Sequence, residues 1–171
     1  MVKLPPVLKS VPIERATYAP YGDVIAADES LPFTYANMRT AKRFNHLSDV
    51  KNLRPESAKL NLCVFRCQPA RAPLEVRLLE RHRYSTQVFL PMAQTARFLV
   101  VVSLGGDTPA LETLKAFVVE GARGISYRPG VWHYPMTALD NPLDFSCLIW
   151  EDNSEGDCQI VNLDKPIRVE L

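Results

Sequence analysis

No run of apolar residues in this chain is long enough to cross a bilayer. The longest, Phe98-Leu-Val-Val-Val-Ser-Leu104, falls far short of the roughly 20 residues a spanning helix needs. Met1-Val-Lys-Leu-Pro-Pro6 holds no apolar core of signal-peptide length. Arg168-Val-Glu-Leu171 is not a Ser-Lys-Leu address, so a cytoplasmic protein is expected. An excess of one charge is missing too: 20 Lys and Arg face 19 Asp and Glu, for a formal net charge of +1. That balance argues against nucleic acid as the main partner, because phosphate binding needs a basic excess. No Cys-x-x-Cys pair is present, which removes the commonest zinc spacing. Of the four cysteines, Cys63 and Cys67 share one face of a strand-like run and so stand roughly 13 Å apart. A disulfide needs Cα atoms within about 7 Å, so reduced thiols are expected. Glycine is scarce, 7 residues against 14 prolines. Proline locks φ and removes a donor, so short elements with frequent stops should follow.

What is present suits a single domain over residues 1–171, large enough to bury about 70% of its unfolded surface without disulfide or metal support. From residue 60 onward the chain is rich in strand formers. Leu60–Cys67, Leu74–Arg83, Gln87–Leu90, Arg97–Ser103, Leu114–Val119, Ile125–Tyr127, Asp144–Trp150 and Gln159–Leu163 each read as a strand. Many short strands separated by Pro and Gly turns predict an all-β sandwich or barrel. Helix is expected only over Pro55–Lys59 and after Pro109, where Asp107 or Thr108 would cap. The N-terminal third, broken by Pro5, Pro6, Pro12, Pro20 and Pro32, reads as irregular.

Of the three histidines, two have informative neighbours. Glu80 and His82 project from one face of a strand, and a turn at Tyr84-Ser-Thr86 would return Gln87 beside them. Farther on, Pro129-Gly130 reverses the chain and presents His133 on the next strand. His46 reads as a solvated loop residue. Alternation puts Leu60, Leu62, Val64 and Arg66 on one strand face, so Arg66 is expected on a face otherwise apolar. If that face lines the interior, the guanidinium must find an anion, since an unpaired buried charge is costly. Arg81 and Arg83 alternate with Glu80 and His82 and should point away from them. Lys115 shares its face with Phe117 and Val119 and is the second candidate cation.

The pattern Glu-x-His-x4-Gln followed by Pro-Gly-x-x-His resembles the two motifs of the cupin superfamily, with Glu80 in place of the usual first His and Gln87 in place of the usual Glu. The likeness narrows to the ureidoglycolate lyase family through Tyr21-Gly-Asp-Val-Ile25, Leu79-Glu-Arg-His82, Thr86-Gln87, Phe89-Leu-Pro91, Leu114-Lys-Ala-Phe117 and Val131-Trp-His-Tyr-Pro135. The resemblance implies a cupin-type double-stranded β-helix (a jelly-roll barrel) with a few short helices, and a homodimer. It also implies cleavage of ureidoglycolate to glyoxylate and urea, a step of ureide catabolism.

That reaction removes a hydroxyl proton and protonates a departing nitrogen, work suited to a paired base and acid. His82, His133 and Glu80 are the catalytic candidates. Arg66, Lys115, Tyr127 and Gln87 are candidates for substrate binding, with a cation for the substrate carboxylate. Glu80, His82, Gln87 and His133 together offer nitrogen and oxygen ligands that a divalent transition metal such as Ni, Mn or Zn accepts. The competing readings are a metal-dependent cupin isomerase or oxygenase acting on another small hydroxy acid, and a non-enzymatic cupin that binds a small ligand.

Overall fold

The computed structural model describes residues 7–171; Met1–Pro6, read above for a signal peptide, lie outside them. The strands are β1 (Val7–Pro12), β2 (Val24–Ile25), β3 (Thr34–Ala36), β4 (Ala41–Arg43), β5 (Lys59–Cys67), β6 (Leu74–Arg81), β7 (Gln87–Pro91), β8 (Arg97–Ser103), β9 (Lys115–Glu120), β10 (Gly124–Tyr127), β11 (Trp132–His133), β12 (Thr137–Ala138), β13 (Leu143–Glu151) and β14 (Gln159–Glu170). Among the described residues helix is limited to α1 (Arg15–Tyr18) and single 3-10 turns. The all-β expectation holds, and every expected strand is present, though the last, expected to end at Leu163, runs on to Glu170.

β11 pairs with both β6 and β8, and this closes the larger sheet into a ring running β8-β9-β1-β14-β6-β11. All six strands, with Leu114 just before β9, supply one core: Leu8, Val76, Leu79, Leu99, Val101, Leu114, Ala116, Trp132, Ile167 and Val169. A register shift between Asn162 and Ile167 of β14 lets Val76 and Leu79, three residues apart, face that same core. The second sheet, β2-β10-β7-β13-β5, packs over β8 and β9. Between them lies a second core of Phe89, Phe98, Val100, Phe117, Ile125, Tyr127, Phe145 and Cys147. β8 serves both cores by alternation: Leu99 and Val101 face one, Phe98, Val100 and Val102 the other.

Three local expectations are corrected. The N-terminal third is less irregular than its prolines suggest, because β1 runs parallel between β14 and β9 and joins them. Pro55–Lys59 forms only a turn, in which the Ser57 and Ala58 N–H groups donate to the Arg54 carbonyl. No helix is capped at Asp107 or Thr108. Gly105 and Pro109 bridge instead, Ala110 N–H donates to Leu104 O, and the 3-10 turn starts only at Leu111.

Glycine is required at two places that bear on the site. A Cβ on Gly22 would lie 1.7 Å from the Ser126 carbonyl oxygen, so the Tyr21-Gly-Asp phrase packs directly against β10. Gly130 has φ +82°, the left-handed conformation that turns the chain into β11. Its N–H donates to the His82 carbonyl at 2.8 Å and ties the two histidine motifs together.

Candidate active site

Register brings the site together. His133 stands directly across from Glu80 on β6 and from Val102 on β8, so all three share the face toward the second core. Tyr127 of β10 stands across from Gln87 of β7 in the same way. His82 follows β6, and its ring lies 5.5 Å from that of His133. Tyr127 stacks on the other histidine at a centroid distance of 4.0 Å and an interplanar angle of 9°. His133 and Tyr127 are 1% and 2% exposed, while Gln87 and His82 are also buried.

Both imidazoles are oriented by backbone. His82 Nδ1–H donates to the Asp157 carbonyl at 2.7 Å, and His133 Nδ1–H donates to the Val131 carbonyl at 3.0 Å. In the neutral form of each ring that bond leaves the lone pair on Nε2. These two Nε2 atoms, with Gln87 Oε1 and the Tyr127 hydroxyl, are buried without a hydrogen-bond partner. Buried polar atoms are satisfied in the great majority of cases, so four in one cluster mark a site shaped for a guest. Glu80 Oε1 lies 3.5 Å from His133 Nε2, too long for a formed hydrogen bond and an ion pair only when the imidazole is protonated.

Burial pushes the Glu80 carboxyl up, but the neighbouring His133, and His82 behind it, outweigh this and hold it below its ordinary value. Burial, then the charge of His133, depress His82 from 6.5 to about 4, against weaker upward pulls from its Asp157 contact and Glu80. Burial, with the Glu80 charge, raises the Tyr127 phenol well above its usual value.

These shifts set a pH dependence of stability. The folded state holds His82 neutral where an unfolded histidine would bind a proton, so the unfolded chain carries more protons between pH 6.5 and about 4. Stability is therefore complete above the ordinary histidine value and falls as pH drops through that window. Glu80, with its depressed folded value, adds loss in the same direction at lower pH. The expected loss between pH 7.5 and 4 is on the order of 3 kcal/mol at most. Urea denaturation at the two pH values measures it. His82→Gln should flatten the dependence, and an unchanged slope in that variant would remove His82 as its source.

The donor set fits a metal. One ligand atom from each of Glu80, His82 and His133 lies within 4.8 Å of the others. Ligands around one ion, each at about 2.1 Å, stand roughly 3–4 Å apart, a spacing near the one found here. The two unpartnered Nε2 atoms and the unpartnered Gln87 Oε1 are donors of the type such an ion takes.

The expected cations are placed elsewhere. Arg66 does not face the interior: its side chain is 75% exposed and pairs with Asp144 through two bonds of 2.9 Å. β5 is an edge strand whose inward side is Asn61, Cys63, Phe65 and Cys67, so the Leu60, Leu62, Val64 and Arg66 side meets solvent. Lys115 keeps the face expected of it, opposite Val102, but is exposed at the start of β9, and no ion pair or hydrogen bond joins it to the cluster. Arg81 points away from the site as expected, into the ring core over Trp132. His46 is an exposed loop residue with φ +55°. Sequence reasoning missed Asp157, whose contribution is a backbone carbonyl and leaves no side-chain signature.

A buried imidazole pair beside a carboxylate, where one sheet closes against another in an all-β barrel, offers groups of the kind that transfer protons or hold a metal. The family described as ureidoglycolate lyase matches residues 5–170. Ureidoglycolate lyases of Salmonella enteritidis, Salmonella newport and Salmonella heidelberg are 39% identical over 138 residues, covering 81% of this chain and 84% of theirs. Among solved structures, RmlC from Streptococcus suis in complex with dTDP-D-xylose aligns at a TM-score of 0.42 and 13% identity, over 78% of this chain and 72% of that one. The chain belongs to the ureidoglycolate lyase family.

Proposed function

We propose that the protein is a lyase cleaving ureidoglycolate to glyoxylate and urea, with Glu80, His82 and His133 at the reacting centre. The observation that carries this reading is the pair of buried, partnerless imidazole nitrogens beside the Glu80 carboxylate, in a chain of this family. The substrate carbon bears a hydroxyl, a carboxylate and a urea nitrogen. The hydroxyl proton leaves, the O–H electrons become the second bond of the aldehyde, and the C–N electrons pass to nitrogen, which takes a proton. No water is consumed, so one base can take the proton from oxygen and return it to nitrogen.

The pair His133–Glu80 suits that shuttle. His82, held neutral with its only N–H engaged by Asp157, accepts rather than donates. Tyr127 aligns His133 by stacking and offers its hydroxyl to the substrate, and Gln87 offers an amide oxygen. Where a divalent transition metal is held by Glu80, His82, Gln87 and His133, it would supply a Lewis acid for the substrate oxygens in place of that shuttle.

The reading takes residues 1–171 as one domain of a cytoplasmic homodimer. Among the described residues no helix is long and apolar enough to cross a membrane. A second copy would cover the outer side of β5, where Leu60, Leu62 and Val64 are exposed on a sheet edge. A two-fold axis would set that face of one copy against the same face of the other. Sedimentation at the monomer mass would remove the dimer from the reading.

Incubation with ureidoglycolate should release glyoxylate and urea in equal amounts. Release of ammonia without urea would overturn the lyase assignment. Chelation followed by re-addition of Ni, Mn or Zn separates the metal question: activity should fall and return, and full activity after verified removal of metal would leave acid–base chemistry alone.

A further inference from the structure

We propose that Arg54 is a positioning residue for His82, acting through the β13–β14 loop; this rests on the reading that places His82 in the site. Arg54 lies in the segment before β5, distant in sequence from every site residue, yet its side chain is only 17% exposed. Its fork spans one short loop. Nη1 donates to Asp152 Oδ1 at 2.8 Å and to Ser154 Oγ at 3.1 Å, while Nη2 donates to Asp157 Oδ1. The guanidinium also lies over the Tyr84 ring, at 4.8 Å from its centroid.

The loop closes around these contacts. Ser57 Oγ–H donates to Asp152 Oδ2 at 3.0 Å, Asp152 N–H donates to Asp157 Oδ1 at 3.2 Å, and Asp157 N–H donates to Ser154 O at 3.0 Å. Asp157 is thus held by its side chain and its amide, on the residue whose carbonyl faces His82. That carbonyl accepts the Nδ1–H of His82 and so selects the His82 tautomer. A loop of Asp152-Asn-Ser-Glu-Gly-Asp157 has no apolar side chain to anchor it, so Arg54 supplies the anchor by charge. The planar fork matters: a lysine ammonium is a point charge and cannot reach Asp152, Asp157 and Ser154 together in this geometry.

The test uses the full-length protein labelled with 15N-histidine. In the wild type His82 should show a single Nδ1–H tautomer. In Arg54→Ala it should become a mixture, and kcat on ureidoglycolate should fall about 10–100-fold with KM little changed, the range seen when a residue orienting a ligand or catalytic histidine is lost. Arg54→Lys should be intermediate, and it replaces the alanine variant if that one does not fold. Added methylguanidinium should restore both the spectrum and kcat of Arg54→Ala. A folded variant with an unaltered His82 tautomer overturns the proposal, whether or not kcat falls, and so does a kcat within about twofold of wild type. The nitrogen spectrum is read without substrate, so failure of the ureidoglycolate assignment leaves this test standing.

Discussion

His133→Asn should lower kcat for ureidoglycolate cleavage by about 10²–10⁴-fold, the contribution typical of a positioned acid–base group, while the barrel remains folded. His133 occupies the centre of the site. Its Nε2 faces Glu80 at 3.5 Å, its ring stacks on Tyr127, and its Nδ1 is committed to Val131 O. Asparagine keeps a polar group of modest size on β11 but cannot carry a proton between two substrate atoms. It also leaves the half-buried Glu80 without its principal charge partner, which should raise the carboxyl toward the value burial alone favours. Steady-state kinetics with circular dichroism decide the matter. A folded variant retaining more than about a tenth of wild-type kcat would take His133 out of the proton pathway. Glu80→Gln should show a loss of similar order, because the two groups act as a unit and their effects should not add.

Trp132→Ala should cause the largest loss of stability from one substitution, about 3–5 kcal/mol. Trp132 is fully buried in the ring core, on the strand that closes the ring between β6 and β8. β11 is only two residues long, so side-chain packing rather than a long ladder must hold it in place. The indole Nε1–H donates to Gly106 O at 3.2 Å. The Arg81 guanidinium, 4% exposed, lies 4.5 Å from the ring centroid and is fixed from outside by Gln159, Gly106 O and Asp107. Removing the indole empties the core and leaves a buried cation facing a cavity. For a chain of this size the melting temperature should drop by roughly 10 °C or more, and calorimetry measures it. A drop below about 2 °C would show that β11 is held by other contacts. Since His133 is the next residue, activity should fall below that of the folded fraction alone. Trp132→Phe should recover most of the stability.

Much of the fold and most side chains of the candidate site could be read in the chain. Strand chemistry from Lys59 to the C-terminal region is local, carried by β-branched and aromatic residues between Pro and Gly stops, and the strands appear where expected. Glu80, His82, Gln87 and His133 could be singled out because each lies on a strand or beside a turn whose periodicity is short-range. Arg66 shows the limit. Alternation on β5 correctly groups Leu60, Leu62, Val64 and Arg66, but period-two patterning says which residues share a face, not which face is inside. An apolar side on an edge strand looks the same in sequence as an apolar side in a core. The prolines around β1 misled for a related reason: that strand is held by parallel neighbours far away in sequence, β14 and β9.

By itself, then, the sequence determined the all-β class, most strand positions, the absence of a membrane-spanning run and the histidine–carboxylate set, all of which depend on neighbours a few residues apart. Only the tertiary structure decided that β11 closes a ring, that His133 stands against Glu80, that Arg66 faces solvent and that Arg54 reaches the loop of Asp157. Those facts depend on which distant strands pair and in which register. Pairing is settled by burial summed over the whole barrel, a quantity that no local window of residues contains.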